Sequence, residues 1–381
     1  MKKTQFLVVA SVLVALLLAV SPAFGQATEL RAVKAAQAPV LDGQVEDLWN
    51  SAPAVNITTA GGMNSSNTTV VLKSVYTDDS IYFLMQWADP TMSEHRIPWQ
   101  KQADGTWKKL STSTTNQEST NYEDKAAFIW DINGISGFAQ NGCAVLCHAG
   151  EQPAGSGFGN KYTPNAGELG DIWHWKSIRT GTVGQVDDQY VDATRYNAQT
   201  AVEAGRKSDA KTGGGYANNQ TQDGKLPAFT APDQPAPPFY ILDTQKQPFK
   251  DTFKANDELA GIIVAPHKGD RGDISSGQVY KDGKWTVEFG RKLQTGSQTD
   301  VQFASLDKAY PFGIAIFDNV QVNHGTSGLV NLRFAAAAAA QPGVTVLPKT
   351  GEPGLFSLVG IASMGIALAF AGLVLRRRTV R

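Results

Sequence analysis

The 381-residue chain has two cysteines, Cys143 and Cys147, which lie four positions apart, and His148 directly follows the second. Thiols and imidazoles serve as metal ligands, as nucleophiles and as attachment points for cofactors, so this cluster is the first place to look for chemistry. Four interpretations are open: a disulfide, a zinc site, a nucleophilic cysteine, and covalent attachment of haem.

The residue types and their spacing support the four interpretations to different degrees. An exported chain favours a disulfide, but that bridge would close only a small loop and would give His148 no role. Structural zinc takes four ligands, and the chain has no third cysteine. A nucleophilic cysteine beside a second thiol is vulnerable to oxidation outside the cell.

Haem attachment uses all three residues of the cluster. In the Cys-x-x-Cys-His signature of c-type cytochromes, both thiols add to the porphyrin and the histidine ligates the iron. This chain has three residues between its cysteines instead of two, a spacing that also occurs in haem-binding variants of the signature. We therefore predict one covalently bound haem c on Cys143 and Cys147 with His148 as proximal ligand, and keep the disulfide as the main alternative.

A six-coordinate iron needs a second axial ligand. His324 follows an apolar strand and a turn, so we predict it as the distal ligand, with His174 as the runner-up. His174 stands between two tryptophans, and on a strand it would face away from both. Three aromatic residues are candidates for packing on the porphyrin, with an ordinary core role as the alternative: Trp173, Trp175 and Phe317.

Both ends of the chain carry targeting features. Residues 1–25 have the basic start, apolar run and small-residue exit of a signal peptide. Residues 355–375 form an uncharged apolar segment long enough for a transmembrane helix, and a basic tail, 376–381, follows. Leu347-Pro348-Lys349-Thr350-Gly351 resembles the LPxTG signal that a sortase joins to peptidoglycan. The chain is thus predicted to be exported and held at the outer face of the membrane or on the cell wall.

The region between the ends has the pattern of an all-β protein. Apolar and polar residues alternate in short runs with turn signals between them, which favours a β-sandwich domain over residues 33–334. Thr77-Asp78-Asp79 and Asp282-Gly283 are predicted to be the turns of two β-hairpins. Residues 197–238 are polar and rich in Gly, Asn and Gln, and are predicted to be a loop insertion. Residues 335–346 are predicted to be a linker.

Five segments in this order resemble the ethylbenzene-dehydrogenase-like haem-binding domain, a family that includes haem subunits of dimethyl-sulfoxide-reductase-type molybdoenzymes. The resemblance implies a sandwich similar to carbohydrate-binding modules, with long loops that form a haem site. Some relatives hold a non-covalent haem b between Met and Lys, but the cysteine cluster departs from that pattern. The segments are residues 38–55, 80–91, 122–132, 170–192 and 310–325.

These features together predict an electron-transfer protein rather than an enzyme. The expected redox partner is a molybdoenzyme, a quinol oxidase or another cytochrome. No basic cluster outside the tail indicates a nucleic-acid partner. Two alternatives stay open: a haem sensor, and a carbohydrate- or surface-binding module in which Trp87, Trp99 or Trp107 stacks on sugar.

Overall fold

The computed structural model describes residues 28–113, 117–148 and 160–335, and most elements in these ranges are β-strands. Between β7 and β8 lies one short α-helix, α1 (Phe138–Asn141). Short 3-10 helices cover Asp47–Ser51, Gly142–Leu146, Gly181–Val183 and Asp270–Gly272. The strands are β1 (Thr28–Lys34), β2 (Val55–Ala60), β3 (Asn67–Tyr76), β4 (Ser80–Ala88), β5 (Trp99–Lys101), β6 (Trp107–Lys109), β7 (Lys125–Asp131), β8 (Cys147–His148), β9 (Asn160–Lys161), β10 (Gly170–Lys176), β11 (Asp187–Val191), β12 (Arg206–Ser208), β13 (Gly213–Asn218), β14 (Phe229–Thr230), β15 (Ile241–Leu242), β16 (Gln247–Pro248), β17 (Glu258–Leu259), β18 (Ile262–Lys268), β19 (Ser275–Lys281), β20 (Lys284–Lys292), β21 (Ala309–Phe317), β22 (Gly325–Thr326) and β23 (Val330–Phe334).

One large sheet folds over on itself to make a β-sandwich. Its strand order is β12-β11-β10-β7-β21-β22-β2-β3-β4-β20-β19, and β1 and β23 join β3 to β21 by a second route. The half that runs from β12 to β21 packs face to face with the half that runs from β2 to β19. The all-β sandwich predicted from the sequence is therefore confirmed.

Aromatic rings fill the space between the two halves. Phe83 on β4 lies 5.5 Å from Phe128 and 5.8 Å from Trp130 on β7, and 5.7 Å from Trp173 on β10, measured between ring centroids. The Trp87 ring of β4 meets Trp175 of β10 edge to face. Because aromatic rings bury a large apolar area, these contacts supply much of the free energy that holds the halves together.

Two hairpins predicted from local patterns are present. Strands β3 and β4 pair antiparallel across the Thr77-Asp78-Asp79 turn. Strands β19 and β20 pair across Asp282-Gly283, where both residues have positive φ, at 51° and 69°. That geometry is the two-residue turn that Asp-Gly favours, because glycine adopts positive φ without steric cost.

The predicted insertion, 197–238, contributes to the main sheet. It contains β12, the edge strand next to β11, and β13, which pairs with β18 in a small separate sheet. The polar composition of this segment gave no sign of the short strands, because backbone hydrogen bonds can pair short strands whose side chains do not alternate between apolar and polar.

The terminal features fall outside the described residues. These are the signal peptide, the linker, the LPxTG-like motif, the apolar segment 355–375 and the basic tail. Within residues 28–113, 117–148 and 160–335, no helix combines the length and apolarity needed for a membrane span.

The aromatic core yields a stability prediction. Trp130 is fully buried and contacts Phe312 at 4.4 Å between ring centroids, so Trp130→Ala would leave a large cavity. We expect the free energy of unfolding to fall by about 3–5 kcal/mol, measured by urea denaturation followed by circular dichroism. Leu306→Ala, at a site that is 42% exposed, is the control and should change little. A Trp130→Ala loss no larger than that of the control would contradict the assigned core.

Candidate functional site

The outer face of β7, β10 and β21 forms the floor of a deep cavity. Strand register places His174 directly opposite Ala127, which in turn is opposite Ala315. Gly313, two positions before Ala315 on β21, lies on the same face of the sheet. Three of these four residues have little or no side chain, so the sheet surface beside His174 is recessed where a larger residue would fill it.

Loops around this floor enclose a cavity of about 600 Å³. That volume lies within the range of about 300–1,000 Å³ usual for small-molecule and cofactor sites. The walls come from the cysteine segment, from the chain after β4, from the region around β12 and β13, and from the loop between β21 and β22.

Both cysteines border this cavity. Cys143 lies in the 3-10 helix Gly142–Leu146 and is buried against the floor, where its Sγ is 3.3 Å from the position that a Cβ on Gly313 would take. Cys147 is exposed and begins β8. Both are free thiols in the structure. Burial raises the pKa of the Cys143 thiol to about 11.

His174 presents an unpartnered nitrogen at the middle of the floor. Its Nδ1 lies 3.4 Å from Oε1 of Gln189, whose amide Nε2 donates to Asp187. Gln189 therefore offers an acceptor to His174, so Nδ1 carries the proton and Nε2 keeps its lone pair. That Nε2 is buried and has no hydrogen-bond partner among the described residues. Burial, followed by nearby lysine charges, holds the pKa of His174 well below its ordinary value.

His324 lines the same cavity from the loop between β21 and β22. Its Nδ1 donates to the carbonyl oxygen of Val322, which again leaves the lone pair on Nε2. Burial lowers the pKa of His324 to about 3, so this imidazole is neutral. The Phe317 ring stacks on both imidazoles, at 4.2 Å from His324 and 5.2 Å from His174 between centroids.

Basic side chains outnumber acidic ones on the cavity walls. Glu203 is the one acidic group among the described lining residues. Lys125 is fully buried, donates to the carbonyl oxygen of Gln321 at 2.9 Å, and forms no ion pair with a described carboxylate. Burial lowers the pKa of Lys125 well below its ordinary value, so a bound anion would be needed to keep it fully charged. The basic lining residues are Arg96, Lys109, Lys125, Lys161, Lys176, Arg179 and Arg206.

Some of these basic groups are held by buried carboxylates behind the wall. Lys176 and Arg271 both contact Asp187, and their charges keep the pKa of that carboxyl well below its usual range although burial alone would raise it. Arg179 pairs with Glu123, which is completely buried. The basic groups without such a partner can donate charge-assisted hydrogen bonds to an anion.

The structure brings together Cys143, Cys147, His174, His324 and Phe317 around one cavity, as the sequence analysis requires of a shared site. The backbone of His148 pairs with Asn160 across β8 and β9, and its side chain lies outside the described part of the structure.

Trp173 and Trp175 need a correction. Each is 1% exposed and packs between the two sheet halves, on the face of β10 opposite to His174. Side chains alternate between the two faces of a strand, so these two rings lie in the core and do not contact a group in the cavity. They are core residues, which was the alternative interpretation. Phe317 does line the cavity.

The three tryptophans considered for sugar stacking are also buried. Trp87 and Trp99 are each 2% exposed and Trp107 is 8% exposed. None of them presents a ring face to solvent as a platform for sugar.

Sequence reasoning missed the basic lining, above all Lys125. A signal was present, because Lys125 stands two positions before Ala127 and four before Ile129, so alternation puts it on the outer face with them. What the sequence could not reveal is that loops cover that face and bury the lysine.

The two cysteines should differ in reactivity in haem-free, reduced protein. At pH 8 only about one Cys143 thiol in a thousand would be ionised, since its pKa is about 11 and the thiolate is the nucleophile. Titration with a disulfide reagent should therefore show one fast thiol that Cys147→Ser removes and Cys143→Ser retains. Equal rates for the two single variants would contradict the burial of Cys143.

Comparison with known structures gives only distant alignments. A family 9 carbohydrate-binding module from Caldicellulosiruptor kristjanssonii, in complex with cellotriose, aligns over 85% of this chain and 100% of its own, with 11% identity and a TM-score of 0.31. A protein from Bacteroides uniformis described as carbohydrate-binding aligns over 81% of this chain and 100% of its own, with 8% identity and a TM-score of 0.34. No functional argument rests on scores this low.

Sequence comparison is more informative about the family. No curated protein matches the chain. A sequence profile described as ethylbenzene dehydrogenase matches residues 46–327, a range that includes the cysteine segment, the cavity floor and the loop that carries His324. The chain therefore belongs to the ethylbenzene dehydrogenase family.

Proposed function

We propose that the chain is an electron-transfer protein that holds one covalent haem c in the cavity on the outer face of β7, β10 and β21. The observation that carries the proposal is that Cys143 and Cys147 border the same cavity as the buried, unpartnered Nε2 of His174. Two thiols for attachment and a lone pair for the iron thus belong to one site, although Cys143 and His174 are 31 positions apart in the sequence.

The cysteines would provide the attachment. Each S–H would add across one vinyl group of the porphyrin, so a C–S bond forms, the hydrogen goes to the neighbouring carbon, and no oxidant is consumed. Cys143 is anchored against Gly313 and Cys147 is at the surface, so the two thiols lie at different depths. His148, next in the chain, is the proposed proximal ligand.

Two histidines compete for the distal position. The sequence ranks His324 ahead of His174, but the reverse order is supported by the Nε2 of His174, which is buried and has no partner in the part of the chain that the structure describes. Gln189 holds the His174 ring through Nδ1, the arrangement that usually orients a metal-ligating histidine. We therefore propose His174 as the distal ligand and keep His324 as a wall residue that packs on Phe317.

The basic wall suits the two carboxylates that every haem carries. Lys125, Lys161 and Arg206 lie on the lining, and Lys125 has no carboxylate partner among the described residues. Charge-assisted hydrogen bonds from such groups to propionates would compensate for their transfer out of water.

With both axial positions filled by protein, bound haem would exchange single electrons without an open site for substrate. The chain's own residues would keep water from the iron and hold both imidazoles in place. We propose a non-enzymatic role at the outer face of the cell membrane or on the cell wall. The redox partner would be a molybdoenzyme, a quinol oxidase or another cytochrome, and a sortase would act at Leu347–Gly351.

Covalent attachment can be tested directly. Protein matured with a cytochrome c assembly system should stain for haem on a denaturing gel, and its intact mass should exceed that of the signal-free polypeptide by one haem. The Cys143→Ala, Cys147→Ala double variant should lose the stain, because it has no thiol left to form a thioether. A wild-type mass equal to the bare polypeptide, or two sulfurs joined to each other, would refute the proposal.

The visible spectrum tests the distal ligand. His174→Ala should convert a low-spin six-coordinate spectrum to a high-spin one, because the iron loses a strong-field nitrogen. His324→Ala should leave the spin state unchanged, and so should the control His95→Ala, whose side chain is 47% exposed and is not part of the lining. A high-spin His324→Ala protein beside a low-spin His174→Ala protein would restore the order predicted from the sequence. A five-coordinate wild type would instead indicate a haem sensor.

A further inference from the structure

A group of aspartates lies away from the cavity, where the two edges of the folded sheet meet. Asp209 directly follows β12, the edge of one half, and Asp300 lies beyond the end of β20 in the other half. Asp270 begins the 3-10 helix between β18 and β19. One carboxylate oxygen from each of the three lies within 4.8 Å of the others.

A neighbouring group of acids already has a cation. The buried guanidinium of Arg291 contacts Asp171 at 3.0 Å, Asp300 at 3.3 Å and Asp188 at 3.7 Å. Asp209 and Asp270 take no part in these contacts, and neither forms an ion pair with any described residue. Arg291 therefore pairs with Asp171, Asp188 and Asp300, whereas no described cation pairs with Asp209 or Asp270.

Asp209 is the feature that points to a ligand. Its side chain is 4% exposed, and neither carboxylate oxygen accepts a hydrogen bond of good geometry from the described residues, although the Thr299 hydroxyl lies nearby. Asp300 is 1% exposed, and its Oδ1 also has no partner. Buried ionised groups are almost always paired or coordinate a metal, so the Asp209 carboxylate, which forms no ion pair with a described residue, requires an explanation.

Electrostatics supports the same conclusion. One carboxylate oxygen from each of Asp209, Asp270 and Asp300 lies within 4.8 Å of the other two, and like charges at that separation repel each other. A bound divalent cation would keep the carboxylates ionised and remove their repulsion.

The surrounding donors are hard oxygens. The Ser297 hydroxyl lies 2.9 Å from Oδ2 of Asp270 and 2.9 Å from the Thr299 hydroxyl, and both hydroxyls belong to the Thr295–Asp300 segment that carries Asp300. Neither cysteine is part of this cluster. Oxygen-only sites suit Ca²⁺ and Mg²⁺ rather than zinc or copper, and Ca²⁺ gives up its water more readily for an all-protein site.

We propose that this cluster is a Ca²⁺ site that joins the two edges of the β-sandwich, with carboxylate ligands from Asp209, Asp270 and Asp300 and neutral oxygens from Ser297 and Thr299. The ion would close the seam between β12 and the strands β19 and β20, at the side of the sandwich opposite to the fold at β22. The site is independent of the haem proposal, since none of its ligands lines the cavity.

The test uses the full mature protein with CaCl₂ as the probe. Equilibrium dialysis at about 1 mM Ca²⁺, the weak end of the range for protein sites, followed by elemental analysis should show one ion per chain. Asp209→Asn should weaken binding by about tenfold or more, because one ligand charge is lost. Asp282→Asn, at the exposed hairpin turn, is the matched control and should bind as wild type does.

Melting temperature provides a second readout with a characteristic crossover. In EGTA, Asp209→Asn should melt at or above the temperature of wild type, since the substitution removes an unpaired buried charge. In excess Ca²⁺ the order should reverse, because only wild type gains the full binding free energy.

Three results would overturn the proposal. Wild-type protein could retain no Ca²⁺ after dialysis, its melting temperature could be the same in Ca²⁺ and in EGTA, or the Asp209→Asn variant could bind Ca²⁺ with the affinity of wild type. If Asp209→Asn does not fold, dialysis and melting of wild type decide the matter by themselves. Equal stabilisation by MgCl₂ would also contradict the assignment to Ca²⁺.

Discussion

Side-chain alternation along three neighbouring strands is the constraint on which the cavity depends. In β7, β10 and β21 one set of positions must fill the space between the sheet halves, and the large rings of Trp130 and Trp173 do so. The alternate positions face outward, where Ala127 and Ala315 leave room beside His174. The same backbone carries both sets, so the aromatic packing that stabilises the fold also fixes the floor of the site. A shift of register by one residue would place the rings outside and the histidine in the core.

The neighbouring residues Asp187 and Asp188 of β11 show how the same alternation separates charge. Asp187 faces the cavity side, where Lys176 and Arg271 hold it ionised. Asp188 faces the opposite way, toward Arg291 and other aspartates, and burial together with Asp171 raises its pKa well above the ordinary value. One strand thus has a basic environment on one face and an acidic one on the other. An anionic ligand on the first side and a cation on the second would each balance a charge that the protein alone leaves uncompensated.

The two cavity histidines share a design that suits a redox centre. In each, Nδ1 is committed to an acceptor of the protein, so the tautomer is set and Nε2 keeps its lone pair. Both pKa values are depressed by burial, so protons do not compete with a metal for that lone pair at neutral pH. Phe317 packs on both rings and limits their rotation. Side chains held in this way rearrange little when the charge on a bound group changes.

Local patterns in the sequence were sufficient for the all-β class and for the two hairpins at residues 77–79 and 282–283. They also singled out Cys143, Cys147, His174 and His324, which the structure places around one cavity. Alternation, turn chemistry and ligand spacing are properties of neighbouring residues, so they can be read from the chain directly. Other features depend on which surface a distant segment of the chain covers. These are the orientation of Trp173 and Trp175 toward the core, the burial of Lys125, and the proximity of Asp209 to Asp300. Such coverage comes from pairings between strands far apart in sequence, and it sets burial, charge balance and cavity shape. The sequence by itself therefore determined which residues can do chemistry, whereas only the tertiary structure decided which of them share a site, because desolvation and proximity arise from long-range packing.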